Sequence, residues 1–210
     1  MKRKHPFNMI EIMLALGVCV IGVCSIMVLF PVGTSATRDA AMETYAAHAA
    51  DQMLHFMKYR ITANYGADWG TIISNTNTSG EISGTIPPDN SYDLANLNDD
   101  SIWTTDSGWI NELRGTIYQN DSNDQIYQVM SHRNPVDRRL GESGFDVSRI
   151  DFRGIMGIWK EQISVNGFSV SYTMGVKLNV RVAWPAELPA ASRQVAYYSL
   201  EVFNPALSSP

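Results

Sequence analysis

Between Ile12 and Thr37 the chain has no charged residue at all. The 210-residue sequence holds only two cysteines, Cys19 and Cys24, and both lie inside that uncharged run. Five positions apart on a helix, they point about 140° away from each other, so they form neither a local disulfide nor a metal pair. The body therefore has no disulfide framework and must be stabilised by packing. Catalytic signatures are missing too: there is no P-loop, no G-x-S-x-G and no H-E-x-x-H. No catalytic residue, metal ligand set or cofactor is expected, and an enzyme is not the expected class. The net charge is −5, and no Lys/Arg cluster follows residue 4, which argues against a nucleic-acid partner.

What is present is unevenly distributed. Hydrophobic residues make up 45% of the chain and charged residues 18%, enough apolar material for one domain with a real core. Lys2, Arg3 and Lys4 open the sequence, whereas every acidic residue lies at or after Glu11. Ile12–Val32 is apolar over about 21 residues; as a helix it rises about 31 Å, the thickness of a bilayer core. The basic triplet ahead of it keeps the N-terminus cytoplasmic under the positive-inside rule. A secretory signal has a shorter apolar region. A lipoprotein signal wants a small residue before its cysteine, where this chain has Val18 and Val23. A plain membrane anchor accounts for length and basic flank but leaves Glu11 unexplained, because a carboxylate at the edge of a spanning helix is costly unless paired or near the interface.

Phe7-Asn8-Met9-Ile10-Glu11-Ile12 resembles the processing and methylation motif of type IV prepilins and of the pseudopilins of type II secretion. The continuation Leu29-Phe30-Pro31-Val32-Gly33, with Arg38-Asp39, is similar to pilin-like proteins of the Planctomycetes–Verrucomicrobia–Lentisphaerae group. The resemblance covers residues 2 to about 60. It implies a basic leader (1–6) removed by prepilin peptidase between Pro6 and Phe7, N-methylation of Phe7, and an assembly role for Glu11. Pro6 stands where the family has Gly. In a bundle of such helices that excludes water, a free amine at Phe7 is an unpaired buried cation, and a neighbour's Glu11 can neutralise it. The partners implied are other pilin subunits, prepilin peptidase and the membrane. The location implied is the inner membrane, single-pass with the head extracytoplasmic, and then a pilus or pseudopilus.

Beyond the membrane segment (7–33) the helical period resumes. Met42, Tyr45, Ala46, Ala49, Met53, Phe56 and Met57 recur at three- and four-residue intervals, opposite Asp39, Glu43, His48, Asp51, His55 and Lys58. This predicts a distal stem helix over 34–61 with one face for a sheet, and Asp51–His55 as a weak i,i+4 pair. Pro31 and Gly33 predict a kink between the two helical stretches. In the head, 62–210, Leu178–Trp184 and Tyr198–Val202 alternate as an antiparallel hairpin with one buried face, Arg181 and Glu201 on the outside. Phe168–Met174 predicts a third strand, and Gln125–Met130 and Phe145–Phe152 two more. Ser74–Asn111 is rich in turn residues and predicts long loops. Within it, Asp99, Asp100 and Asp106 lack the spacing of a calcium loop. His132 with Arg133-Asn134-Pro135 predicts a polar turn, and Trp69, Trp103, Trp109 and Trp159 predict core or loop anchors.

The fold class expected is α+β: a long N-terminal stem helix with a C-terminal antiparallel sheet packed on its distal half. The function expected is a filament or pseudopilus subunit. Its rival is a non-polymerising bitopic membrane protein whose extracytoplasmic domain binds a partner.

Overall fold

The computed structural model describes residues 8–63, 69–73, 82–93, 97, 102–104, 117–132 and 147–207. The fold is α+β, with helix α1 (Met9–Thr62) at the N-terminus and a C-terminal antiparallel sheet packed on its distal part. The chain divides into two compact units, Met1–Glu43 and Thr44–Pro210.

In the first unit the described backbone is α1 alone. It passes through Pro31 and Gly33 without interruption, although Pro31 has no N–H to offer the carbonyl of Met27. Nearby hydroxyls bond to carbonyls one turn back: Thr34 to Pro31 (2.9 Å), Ser35 to Val32 (3.0 Å) and Thr37 to Gly33 (2.9 Å). Such side chains satisfy themselves inside the helix, which lets them sit in apolar surroundings.

In the second unit α1 turns one face inward. Ala46, Ala49, Ala50, Met53, Leu54, Phe56, Met57 and Ile61 are buried, while His48, Asp51, His55 and Lys58 stay exposed. The alanines allow close approach to the sheet, and Tyr45, at its rim, meets Phe152 with ring centroids 5.9 Å apart. The expected Asp51–His55 pair forms at 3.3 Å on the exposed face.

Six strands form the sheet: β1 (Trp103–Thr104), β2 (Ile117–Asn120), β3 (Asn123–His132), β4 (Ile150–Glu161), β7 (Gly175–Trp184) and β8 (Gln194–Phe203). They are antiparallel neighbours in that order. A separate two-stranded ribbon, β5 (Ser164–Val165) and β6 (Phe168–Ser169), interrupts the meander between β4 and β7. Short helix α2 (Trp69–Ile72) is anchored by Trp69, whose indole N–H donates to the carbonyl of Tyr172 at 2.8 Å.

Several expectations need correction. Phe168–Met174 is not a strand of the sheet. Asn166 (φ 50°) and Gly167 (φ 86°) make a two-residue turn with left-handed backbone, the geometry that closes a tight hairpin, and Phe168 at its base is 80% exposed. The strand beside β7 is instead β4, paired Ile158↔Val180. It begins at Ile150 after a 3₁₀ turn (Val147–Arg149), so only the last three residues of the expected Phe145–Phe152 strand belong to it. His132 is not in a turn: it ends β3, opposite Ile150. The β7–β8 hairpin has the expected parity, with Val202 buried and Glu201 exposed on β8. But β7 is buried on both faces. One face (Val176, Leu178, Val180, Val182) lies on the side of α1; the other is covered by residues 82–93, read from sequence as a surface loop. Tyr92 from that segment enters a core with Ile126, Met130, Tyr118 and Ile155. Arg181 is consequently covered, not outward.

Candidate functional site

The first unit carries the residues singled out from sequence. Pro6 and Phe7 lie outside the described residues. Glu11 stands in the first turn of α1, where the helix dipole favours an acidic group, and its backbone N–H donates to the carbonyl of Asn8 at 2.9 Å. Glu11, Ile12, Ala15, Leu16 and Cys19 line one shallow groove on the helix surface. Ile26, Leu29, Phe30, Gly33, Thr34 and Thr37 line another. Cys19 and Cys24 are free and exposed.

Over Met9–Val32 the helix is apolar all round apart from Glu11 and Ser25. Ile10, Val18, Ile12 and Met13 point to different sides of the helix, at roughly 0°, 80°, 200° and 300° around its axis, and all are exposed. A helix that stands against a soluble core has one apolar stripe; one that is apolar on every side belongs in lipid or among other apolar helices. By length and composition α1 can cross a membrane, with an 18-residue window of mean hydropathy 2.8. Glu11 is the single charge from Met9 to Thr37. The geometry thus sets one carboxylate at the start of a helix that has nothing else to offer but apolar surface.

The second unit holds polar clusters that sequence spacing missed. Arg181 on β7 pairs with Asp89, lies 4.3 Å from the Tyr92 ring centroid and 5.9 Å from that of Tyr197. Arg193 donates to three carbonyls, of Leu188 (2.7 Å), Tyr92 (2.6 Å) and Ala186 (2.8 Å), and so ties the β7–β8 connection to the covering segment. Burial pushes the Tyr92 phenol up to about 12, against the opposing pull of the Arg181 cation. Burial also lowers the pKa of Lys160 on β4, whose ammonium lies 5.4 Å from the Tyr172 ring centroid. Residues from positions 89, 92, 181, 193 and 197 meet here, a separation no local motif reports.

A further cleft opens on the same sheet face beyond this clamp, lined by Trp159, Glu161, Lys177, Asn179, Tyr197, Tyr198 and Ser199. Trp159 was expected as an anchor, and it is buried, as are Trp69 and Trp103. Trp109 lies outside the described residues, as do Arg133-Asn134-Pro135, Asp99, Asp100 and Asp106. Among the described residues no group of three or more His, Cys, Asp or Glu side chains could hold a metal ion. Comparison with family models, with curated proteins and with solved structures finds no match to this chain.

Proposed function

We propose that the chain is the structural subunit of a type IV pilus-like or type II secretion pseudopilus filament, without a catalytic role. In this reading prepilin peptidase removes residues 1–6 and the α1 segment drives assembly. The subunit resides first in the inner membrane, N-terminus cytoplasmic and head extracytoplasmic, and then in the filament. The observation that carries the reading is the isolated Glu11 at the head of a helix apolar on every side. Lipid insertion alone gains nothing from that carboxylate. Packing of such helices side by side does gain from it, because each cleaved subunit brings a free amine at Phe7 into a site without water. Glu11 lies four residues further on, and the next acid is Asp39. A neighbour's Glu11 is therefore the acid within reach. Stranding one member of a buried pair costs about 3–5 kcal/mol.

The test is Glu11→Val. It makes the segment more apolar, so membrane levels should be normal. Mass spectrometry should still find a mature chain starting at methylated Phe7, since the peptidase reads the junction. Incorporation into filaments should fail. If Glu11→Val enters filaments normally, charge pairing is wrong and α1 is a simple anchor, as in a non-polymerising bitopic protein. An intact Met1 terminus in cells with active peptidase would contradict processing.

A further inference from the structure

We infer that the cleft on the sheet face between β4, β7 and β8 is a binding site for a neutral pyranose sugar, stacked on Tyr197 and hydrogen-bonded by Asn179. The cleft measures about 260 Å³, slightly below the range of sites for drug-sized ligands, so it suits one small ring.

Its chemistry follows from strand register. Trp159↔Asn179 and Asn179↔Ser199 are direct cross-strand pairs, as are Glu161↔Lys177 and Arg181↔Tyr197. Side chains directly opposite share a face, so these residues converge although they come from three strands.

Tyr197 is 66% exposed yet braced. The Trp159 ring meets it edge-on, with centroids 6.5 Å apart and planes at 81°, and the Arg181 guanidinium lies 5.9 Å from its centroid. A large aromatic that stays in solvent while held from two sides is a platform, and little ordering cost remains for a ligand that stacks on it. A pyranose offers such a ring a flat face of C–H groups.

The polar atoms set the other requirement. Asn179 is only 6% exposed, and among the described residues its buried amide nitrogen has no hydrogen-bond partner. An unmet buried donor costs about 1–3 kcal/mol, which a ligand oxygen can recover. Glu161 accepts from the Trp159 indole (3.0 Å) and pairs with Lys177 (3.6 Å). The ion pair leaves the cleft with no net charge, which disfavours phosphates and carboxylates. Ser199 adds a hydroxyl that donates or accepts. A polyol matches this mixture because each of its hydroxyls does both. A peptide strand does not fit, since the main-chain groups of β7 are already committed to β4 and β8.

The proposal concerns the head and does not depend on filament assembly. The experiment uses the full chain in micelles of a zwitterionic detergent without a sugar headgroup. Methyl glycosides of glucose, galactose, mannose and N-acetylglucosamine are titrated while the Trp159 indole N–H and Asn179 side-chain amide signals are followed by NMR. At least one glycoside should shift both signals saturably. Tyr197→Ala should weaken binding about tenfold, in line with loss of one aromatic stack. Tyr197→Phe, which keeps the ring, and Phe203→Ala, exposed on β8 outside the cleft, should bind as the parent does. Absence of saturable shifts with all four sugars overturns the proposal, as does equal affinity in Tyr197→Ala. If Tyr197→Ala fails to fold, weakened binding by Tyr197→Phe overturns the stacking geometry instead.

Discussion

Gly157 is the position where the packing of the head is most sharply testable. It lies on β4 opposite Ile126 and Arg181, in extended backbone where alanine is ordinarily preferred to glycine by about 0.5–1 kcal/mol. On strand preference alone, Gly157→Ala should stabilise. The structure predicts the reverse. A Cβ at this position would overlap the Tyr92 hydroxyl and come within 2.7 Å of Cζ and 3.1 Å of Cε1. Real carbon contacts begin near 3.4 Å, and Tyr92 cannot retreat. Its ring is sandwiched by Arg181 at 4.3 Å, and its carbonyl is held by Arg193 at 2.6 Å. Overpacking of this kind costs about 1–3 kcal/mol. After the strand preference is subtracted, a net loss of about 1–2 kcal/mol remains, or about 2–8 °C in Tm for a domain of this size. Urea unfolding of the detergent-solubilised chain, followed by tryptophan fluorescence, measures it. Gly70→Ala, with nothing among the described residues within 4 Å of its added carbon, is the control and should be neutral or slightly stabilising. In a Tyr92→Phe background the hydroxyl is gone, so Gly157→Ala should cost less than in the parent. If Gly157→Ala is as stable as the parent, residues 82–93 do not cover this face as described.

Two further predictions concern the same clamp. The folded-state pKa of Tyr92, about 12, exceeds the ordinary value of about 10. Its contribution is therefore complete below pH ~10 and lost as pH rises through ~12, up to about 2–3 kcal/mol. Urea midpoints across this range should fall less steeply in Tyr92→Phe, and an identical slope in that variant refutes the assignment. Arg193→Met should leave three carbonyls without their donor and cost roughly 3 kcal/mol or more. Arg193→Lys should recover little, because one ammonium cannot reproduce the planar fork, and a Lys variant as stable as the parent would refute that account.

The parts of this fold that were legible in sequence are those where one face is dry and the other wet. The distal half of α1 announces itself because Ala46, Ala49, Met53, Phe56 and Met57 repeat at the helical period against exposed His48, Asp51 and His55. β8 does so because Tyr198, Leu200 and Val202 alternate with Ser199 and Glu201. The signal fails where both faces are covered. β4 carries Gly154 and Gly157 and is buried almost throughout, so no alternation marks it. Residues 82–93 have the composition of a loop and act as a lid on the sheet, a role held by a single buried aromatic, Tyr92. Arg181 was read outward because parity put it opposite the core face; parity cannot report that another segment lies on top.

The candidate sites differ in the same way. Glu11, Pro31 and Gly33 stand out because a charge, a ring and a missing side chain interrupt an otherwise apolar run. Asn179, Trp159 and Tyr197 stand out only after β4, β7 and β8 are paired, since nothing in their spacing links them.

The distribution of exposed apolar surface bears on how such a chain would associate. In the second unit the sheet is covered on one face by α1 and over β3, β4 and β7 on the other by residues 82–93. Among the described residues there, the exposed large apolar side chains are spread over separate elements, among them Tyr59 on α1, Ile86 in the covering segment, Val165 and Phe168 on the short ribbon, Leu188 in the β7–β8 connection, and Val195, Tyr197 and Phe203 on the edge strand. In the first unit, by contrast, nearly every side chain from Met9 to Val32 is apolar and exposed. A contiguous apolar surface of that extent does not persist in water. Lipid and a bundle of identical helices both satisfy it, at similar gain per apolar group, because neither presents water. Apolar burial therefore cannot decide between them. The decision falls to the one group for which the two surroundings differ. A carboxylate in lipid seeks the headgroups, and a carboxylate in a bundle needs a cation brought by a neighbour. Under the proposed processing that cation exists only after cleavage exposes the Phe7 amine. Cleavage would then change the preferred surroundings of α1 from lipid to its own kind, with Glu11 as the residue that registers the change.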